Sequence, residues 1–72
     1  NINNNNKQAI LNLANCLFHV KDYEKSIINY NKVLEIDKDH VIAKIGLSKC
    51  YFALHNYNKA IDRYLLVFFN TL

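Results

Sequence analysis

Two cysteines and three histidines, Cys16, His19, His40, Cys50 and His55, are the side chains here best suited to bind a metal or attack a substrate. Cys16 and His19 stand three residues apart, a spacing that puts both on one face of a helix. That pair would supply half of a zinc site. A structural zinc needs four ligands closed into a tetrahedron, and this set is incomplete, so neither a metal nor any other cofactor is expected. Catalysis has less support still. No His–carboxylate pair lies at a helical spacing within one helix, and there is no Gly-rich phosphate loop or Ser/Cys nucleophile signature. The expectation is that the chain is not an enzyme.

Charge narrows the classes further. The formal charge is +3, the lysines are spread along the chain, and Arg63 is the only arginine. Nucleic-acid readers concentrate basic residues on one face, so no nucleic-acid partner is expected. No apolar run of membrane-spanning length and no secretory signal pattern is present, so no membrane is expected either. Two cysteines are too few for a disulfide scaffold, which suits a reducing compartment. The expected location is cytoplasmic or nuclear. The sequence begins at Asn1 and reads as an excerpt of a longer protein.

The elements that position these residues follow from an internal repeat, the first thing to seek in any sequence. Shifting the chain by 34 residues aligns Ala9 with Ala43, Leu13 with Leu47, Cys16 with Cys50 and Phe18 with Phe52. The register runs on through Tyr23/Tyr57, Lys25/Lys59, Ile27/Ile61, Tyr30/Tyr64 and Val33/Val67 without a gap. Each copy shows two apolar stripes of helical period. They are Ile10, Leu13, Ala14, Leu17 then Tyr23, Ile27, Tyr30, Leu34, and Ala43, Leu47, Tyr51, Leu54 then Tyr57, Ile61, Tyr64, Phe68. Pro is absent and Gly46 is the only glycine, which argues for helices joined by tight links. Helices are predicted near 7–20, 23–36, 40–54 and 57–70. Asp22, Asp39 and Asn56 are the expected N-caps, since their side chains can accept from the free N–H groups of a first turn. Residues 1–6 form an Asn-rich lead-in, 7–40 a first copy and 41–72 a second, slightly truncated one. The cysteines then fall on successive first helices, roughly 8–10 Å apart at the axes, poor spacing for a disulfide.

Leu13-Ala14, Leu17, Lys21-Asp22-Tyr23, Ser26, Tyr30 and Val33 resemble the tetratricopeptide pattern. Leu47-Ser48, Tyr51, His55-Asn56-Tyr57, Ala60, Tyr64 and Val67 match it again. The resemblance covers residues 7 to 72. It implies an all-α fold, an α-solenoid of two helix–turn–helix repeats, taken from a longer right-handed superhelix. The chain departs from the family where Lys21 and His55 replace the Gly between paired helices, predicting a strained or altered turn. Lys38 replaces the family's Pro. Ile10 and Lys44 replace its early aromatic, though the Lys44 methylenes can still cover apolar surface.

The resemblance also implies a function: a scaffold whose first helices line a concave groove that binds a peptide or helix of another protein. The corresponding positions include Leu11, Asn12, Asn15, Phe18 and His19, then Ile45, Lys49 and Phe52. Phe18 and Phe52 are large, repeat-related and off the core stripe, like anchors flanked by hydrogen-bonding Asn and Lys. The plainer reading is a solvated face. A carboxylate clamp of the chaperone-binding kind is not expected, because Leu11 and Gly46 stand where its Lys and a second Asn would be. Gly46 either admits a ligand backbone or is merely a tolerated small residue. The alternative function is structural, the two copies extending an array within a multi-subunit assembly.

Two further expectations concern packing. Leu13, Leu17, Ile27, Tyr30, Leu47, Tyr51, Ile61 and Tyr64 should be the best-buried side chains. Leu65, Phe68, Phe69 and Leu72 cannot all turn inward, so further repeats, a partner subunit or a homo-oligomer through the C-terminal helix should cover them.

Overall fold

The computed structural model describes the backbone of residues 2–71 and the side chains of residues 6–65. The four helices are α1 (Ile2–His19), α2 (Tyr23–Ile36), α3 (Val41–Ala53) and α4 (Tyr57–Thr71). The fold is all-α. α1 begins inside the Asn-rich lead-in rather than after it, because nothing in that tract breaks a helix. Each helix packs on the next in sequence, while α1 and α3 touch only lightly. The resulting slab measures 36 × 33 × 14 Å.

The turns between paired helices are ordinary in geometry and unusual in residue type. Asp22 N–H donates to the Leu17 carbonyl at 2.9 Å and Lys21 N–H to that of Phe18 at 3.0 Å. Asn56 and His55 repeat this with Tyr51 and Phe52 at 2.8 and 2.9 Å. Both are Schellman C-caps, which need a left-handed residue. Lys21 and His55 supply it, with φ of 69° and 63°. The turn is therefore strained but not altered, and the missing Gly is tolerated at the expense of local stability. Asp22 and Asn56 cap the following helices, accepting from Lys25 N–H at 3.4 Å and Lys59 N–H at 3.5 Å.

The link between copies differs from expectation. His40, not Asp39, caps α3, its Nδ1 accepting from Ala43 N–H at 3.2 Å. The reason lies one turn back. Asp37 Oδ1 accepts from Asp39 N–H at 3.3 Å and the Asp37 carbonyl from His40 N–H at 3.1 Å. That tight turn leaves His40 as the last residue before the helix. The Asp39 carboxylate instead reaches Lys44 Nζ at 4.0 Å. Lys44 is buried, so its stem takes the place of the family aromatic as its methylenes allow. Lys7 Nζ bonds Asp37 Oδ2 at 3.3 Å, tying α1 to the end of α2. Partial desolvation pushes the Asp37 carboxyl up, but the Lys7 and Asp39 hydrogen bonds and the nearby positive charge outweigh it and hold its pKa below 3.8.

The core sits where α1, α2 and α3 meet: Leu11, Ala14, Tyr30, Val33, Ala43, Leu47 and Cys50. Cys50 Sγ donates to Ser26 Oγ at 3.4 Å, and Ser26 Oγ donates to the Ala14 carbonyl at 2.8 Å, so this buried polar chain is satisfied. Tyr30 lies flat against the backbone of α3. A Cβ at Gly46 would stand 2.6 Å from Tyr30 Cε2 and closer still to Cζ. Gly46 is thus neither a ligand's approach point nor an idle small residue. It makes room for a core ring.

Three of the expected core residues are not buried. Leu13 is 50% exposed, Ile61 55% and Tyr64 60%. Their repeat partners Leu47, Ile27 and Tyr30 are at least partly buried because a neighbouring copy covers them. No described helix lies on the outer side of α1 or α4 to do the same. Leu17, Ile27 and Tyr51 are partly buried, and Tyr30 and Leu47 are buried as expected.

Candidate functional site

Among the described residues two clefts open on the slab, and they adjoin: Phe18, Ile45 and Lys49 line both. The first, about 250 Å³, is concave and runs between α1 and α3. Asn15, Phe18 and His19 reach it from α1, Ile42, Ile45, Gly46 and Lys49 from α3, and Tyr30 from beneath. It exists because positions off the core stripe of successive first helices stack at the repeat spacing. Tyr30 forms its floor: its hydroxyl donates to Asn15 Oδ1, which leaves the Asn15 amide NH₂ as the group able to serve a ligand. Burial, with the nearby Cys50 thiol adding to it, pushes the Tyr30 hydroxyl above its ordinary range despite the pull of Ser26, so the phenol stays protonated and donating. Phe18 is wedged edge-on between Tyr23 and His19, with ring centroids 5.5 and 5.8 Å away. Lys49 is exposed at the rim.

Asn15, Phe18, His19, Ile45 and Lys49 are therefore brought together as expected. Phe52 meets Phe18, Ile45 and Lys49 in the second cleft, while Leu11 and Asn12 line neither. Leu11 is buried, at 5% exposure, and joins the core through Ala14 and α2 rather than lining a groove. Asn12 is exposed on another face, where its Oδ1 accepts from Gln8 Nε2 at 3.0 Å. Phe52 is 64% exposed and lines only the second cleft.

That second cleft, about 560 Å³, lies in the furrow between α3 and α4. Its walls are nearly all apolar, with Ile45 and Phe52 on one side and Ile61, Tyr64 and Leu65 on the other. Leu65 was expected to need covering, and it is 41% exposed here. The Phe68, Phe69 and Leu72 side chains lie outside the described residues. Sequence reasoning placed Ile61 and Tyr64 in the core and so missed this cleft. The repeat register could have found it, since their partners Ile27 and Tyr30 are covered by α3.

Among the described residues no three His, Cys, Asp or Glu side chains converge on one point. Cys16 is exposed and Cys50 buried, both as free thiols. No helix is long and apolar enough to cross a membrane among the described residues.

A family model described as tetratricopeptide repeat matches residues 7–67. Repeats of that description generally mediate interactions between proteins, typically without catalysing a reaction. With the match covering most of the sequence and four helices pairing into two hairpins in the same register, the chain belongs to the tetratricopeptide repeat family.

Proposed function

We propose that the concave cleft between α1 and α3 binds a peptide or helix of a partner protein, with Phe18 and Ile45 taking an apolar side chain. The observation that carries this is the convergence of Phe18, Asn15, His19 and Lys49 from two helices around one opening. A hydrophobic anchor beside adaptable polar groups is the usual chemistry of peptide recognition. Lys49 gives the rim a positive charge and no carboxylate lines it, so the favoured ligand carries an apolar residue next to an acidic one. The same proposal places the chain in the cytoplasm or nucleus, where a thiol as exposed as Cys16 stays reduced.

Peptides selected on the chain from a random displayed library provide the test. H19A and K49E should each weaken the selected peptides by about tenfold, or ~1.4 kcal/mol. K32E, an exposed lysine outside the cleft, should leave binding unchanged. Peptides that bind all three variants as they bind the parent would show that this cleft is not the docking site. The structural alternative, in which the copies extend an array, is favoured by the apolar furrow between α3 and α4.

A further inference from the structure

The register that relates the two copies also relates the two outer faces of the chain. On α3, the face made by Ala43, Gly46, Leu47 and Cys50 is buried because it sits in the furrow between α1 and α2. Cys50 meets Ser26 there, and Tyr30 covers Gly46. One repeat earlier, the same face of α1 carries Ala9, Asn12, Leu13 and Cys16. Three of the four are the identical residue, and all four are exposed. One repeat later, the α3/α4 furrow carries Ile45, Ser48, Ala60, Ile61 and Tyr64. These correspond to Leu11, Ala14, Ser26, Ile27 and Tyr30, on which α3 already lies. The chain carries both halves of its own internal junction, one on each outer side.

We propose that a second copy of this chain docks head to tail, seating the Ala9, Leu13 and Cys16 face of its α1 in the α3/α4 furrow of the first. The partner is set by continuity with the internal junction, whose α3 residues recur on α1. The contact is heterologous, so it leaves one face and one furrow open at the ends and grows by addition rather than closing as a dimer. Two differences make it weaker than the internal junction. Asn12 replaces Gly46, and its side chain would strike the Tyr64 ring as a Cβ at Gly46 would strike Tyr30. Lys49 replaces Asn15, so Tyr64 lacks the acceptor that fixes Tyr30 and can turn aside. Association is therefore concentration-dependent. The furrow shares Phe18, Ile45 and Lys49 with the concave cleft, but Leu13 and Ile61 lie outside that cleft, so variants at these two positions separate self-association from peptide binding.

Sedimentation velocity of the chain over a wide concentration range tests the proposal. The parent should grow into larger species as concentration rises, and L13D and I61D should each remain monomeric. An equal mixture of L13D and I61D should form dimers, because one variant keeps an intact furrow and the other an intact α1 face. Cys16 alkylation should slow by about tenfold where 90% of α1 faces are seated. Circular dichroism checks that both half-exposed sites tolerate the change, and Y64K replaces I61D if that variant loses its helices. A parent that is monomeric at every concentration would overturn the proposal and leave the furrow to a helix of another protein. Association of L13D like the parent, or a mixture that stays monomeric, would overturn it in favour of a symmetric contact.

Discussion

Replacing Gly46 by Ala sets two physical effects directly against each other. An Ala in a helix interior is favoured over Gly by about 1 kcal/mol, so on propensity alone G46A should stabilise α3. The packing argues the reverse. The new Cβ would stand 2.6 Å from Tyr30 Cε2 and nearer to Cζ, closer than real contacts allow. Tyr30 is 3% exposed and tied at its hydroxyl to Asn15, so the ring cannot slide aside cheaply. If the ring swings out, the chain loses roughly 1.5–3 kcal/mol of burial and about 1 kcal/mol of hydrogen bonding. If α3 shifts instead, the overpacking range of about 1–3 kcal/mol applies. After the propensity gain of about 1 kcal/mol, G46A should be destabilised by roughly 1.5–3 kcal/mol if the ring swings out and by up to about 2 kcal/mol if α3 shifts, against the ~3–5 kcal/mol a core this small supplies. Urea unfolding followed by circular dichroism measures it. In a Y30L background, where the ring is gone, the same substitution should turn stabilising. A parent-background G46A stabilised by the full propensity term, or an effect of G46A that is the same with and without the Tyr30 ring, would refute the close-approach argument.

Other substitutions follow from the same geometry. K21G and H55G should each raise stability by about 0.5 kcal/mol, relief of left-handed strain net of the unfolded-state entropy that Gly adds. That is a few degrees in Tm by calorimetry, and K21A should give none of it. With iodoacetamide, Cys16 should react promptly while Cys50 reacts only on unfolding. Cys50 is fully buried, and burial raises its thiol pKa against the opposing Ser26 hydrogen bond. Mass spectrometry of the two peptides checks this. Against the desolvation that raises it, the Lys7 and Asp39 hydrogen bonds and the nearby positive charge together hold the Asp37 carboxyl below its ordinary value, so its stabilising contribution is present above the ordinary carboxylate range and is lost as pH falls through the folded value. K7M should lower the melting temperature near pH 7, where this contribution is fully present, and flatten the acid limb, so that parent and variant converge as the pH falls through the folded Asp37 value.

The pairing of helices was legible in the sequence because it rests on local chemistry. The 34-residue register, the apolar stripes and the caps at Asp22 and Asn56 each depend on neighbours within one or two turns. Helix ends came within a residue or two except at α1, where an Asn tract continues the helix. Gly is the usual signal for a left-handed turn, and its absence suggested a changed geometry. The backbone bonds of the Schellman cap were strong enough to hold Lys21 and His55 in that conformation.

Burial was a different matter, since a stripe records which face is apolar but not whether anything covers it. Leu13 and Leu47 are the same residue at the same point of the repeat. One is half-exposed and the other fully buried, because only α3 has a helix hairpin on its inner side. The same asymmetry moved Leu11 from groove to core and left Phe52 facing an uncovered furrow beside Phe18, Ile45 and Lys49. It also decided the role of Gly46, whose neighbour in space, Tyr30, lies sixteen residues earlier in the chain. The sequence thus determined the repeat, its helices and their register. Only tertiary contact decided which apolar faces became core and which remained open to a partner, because burial depends on what the next element brings.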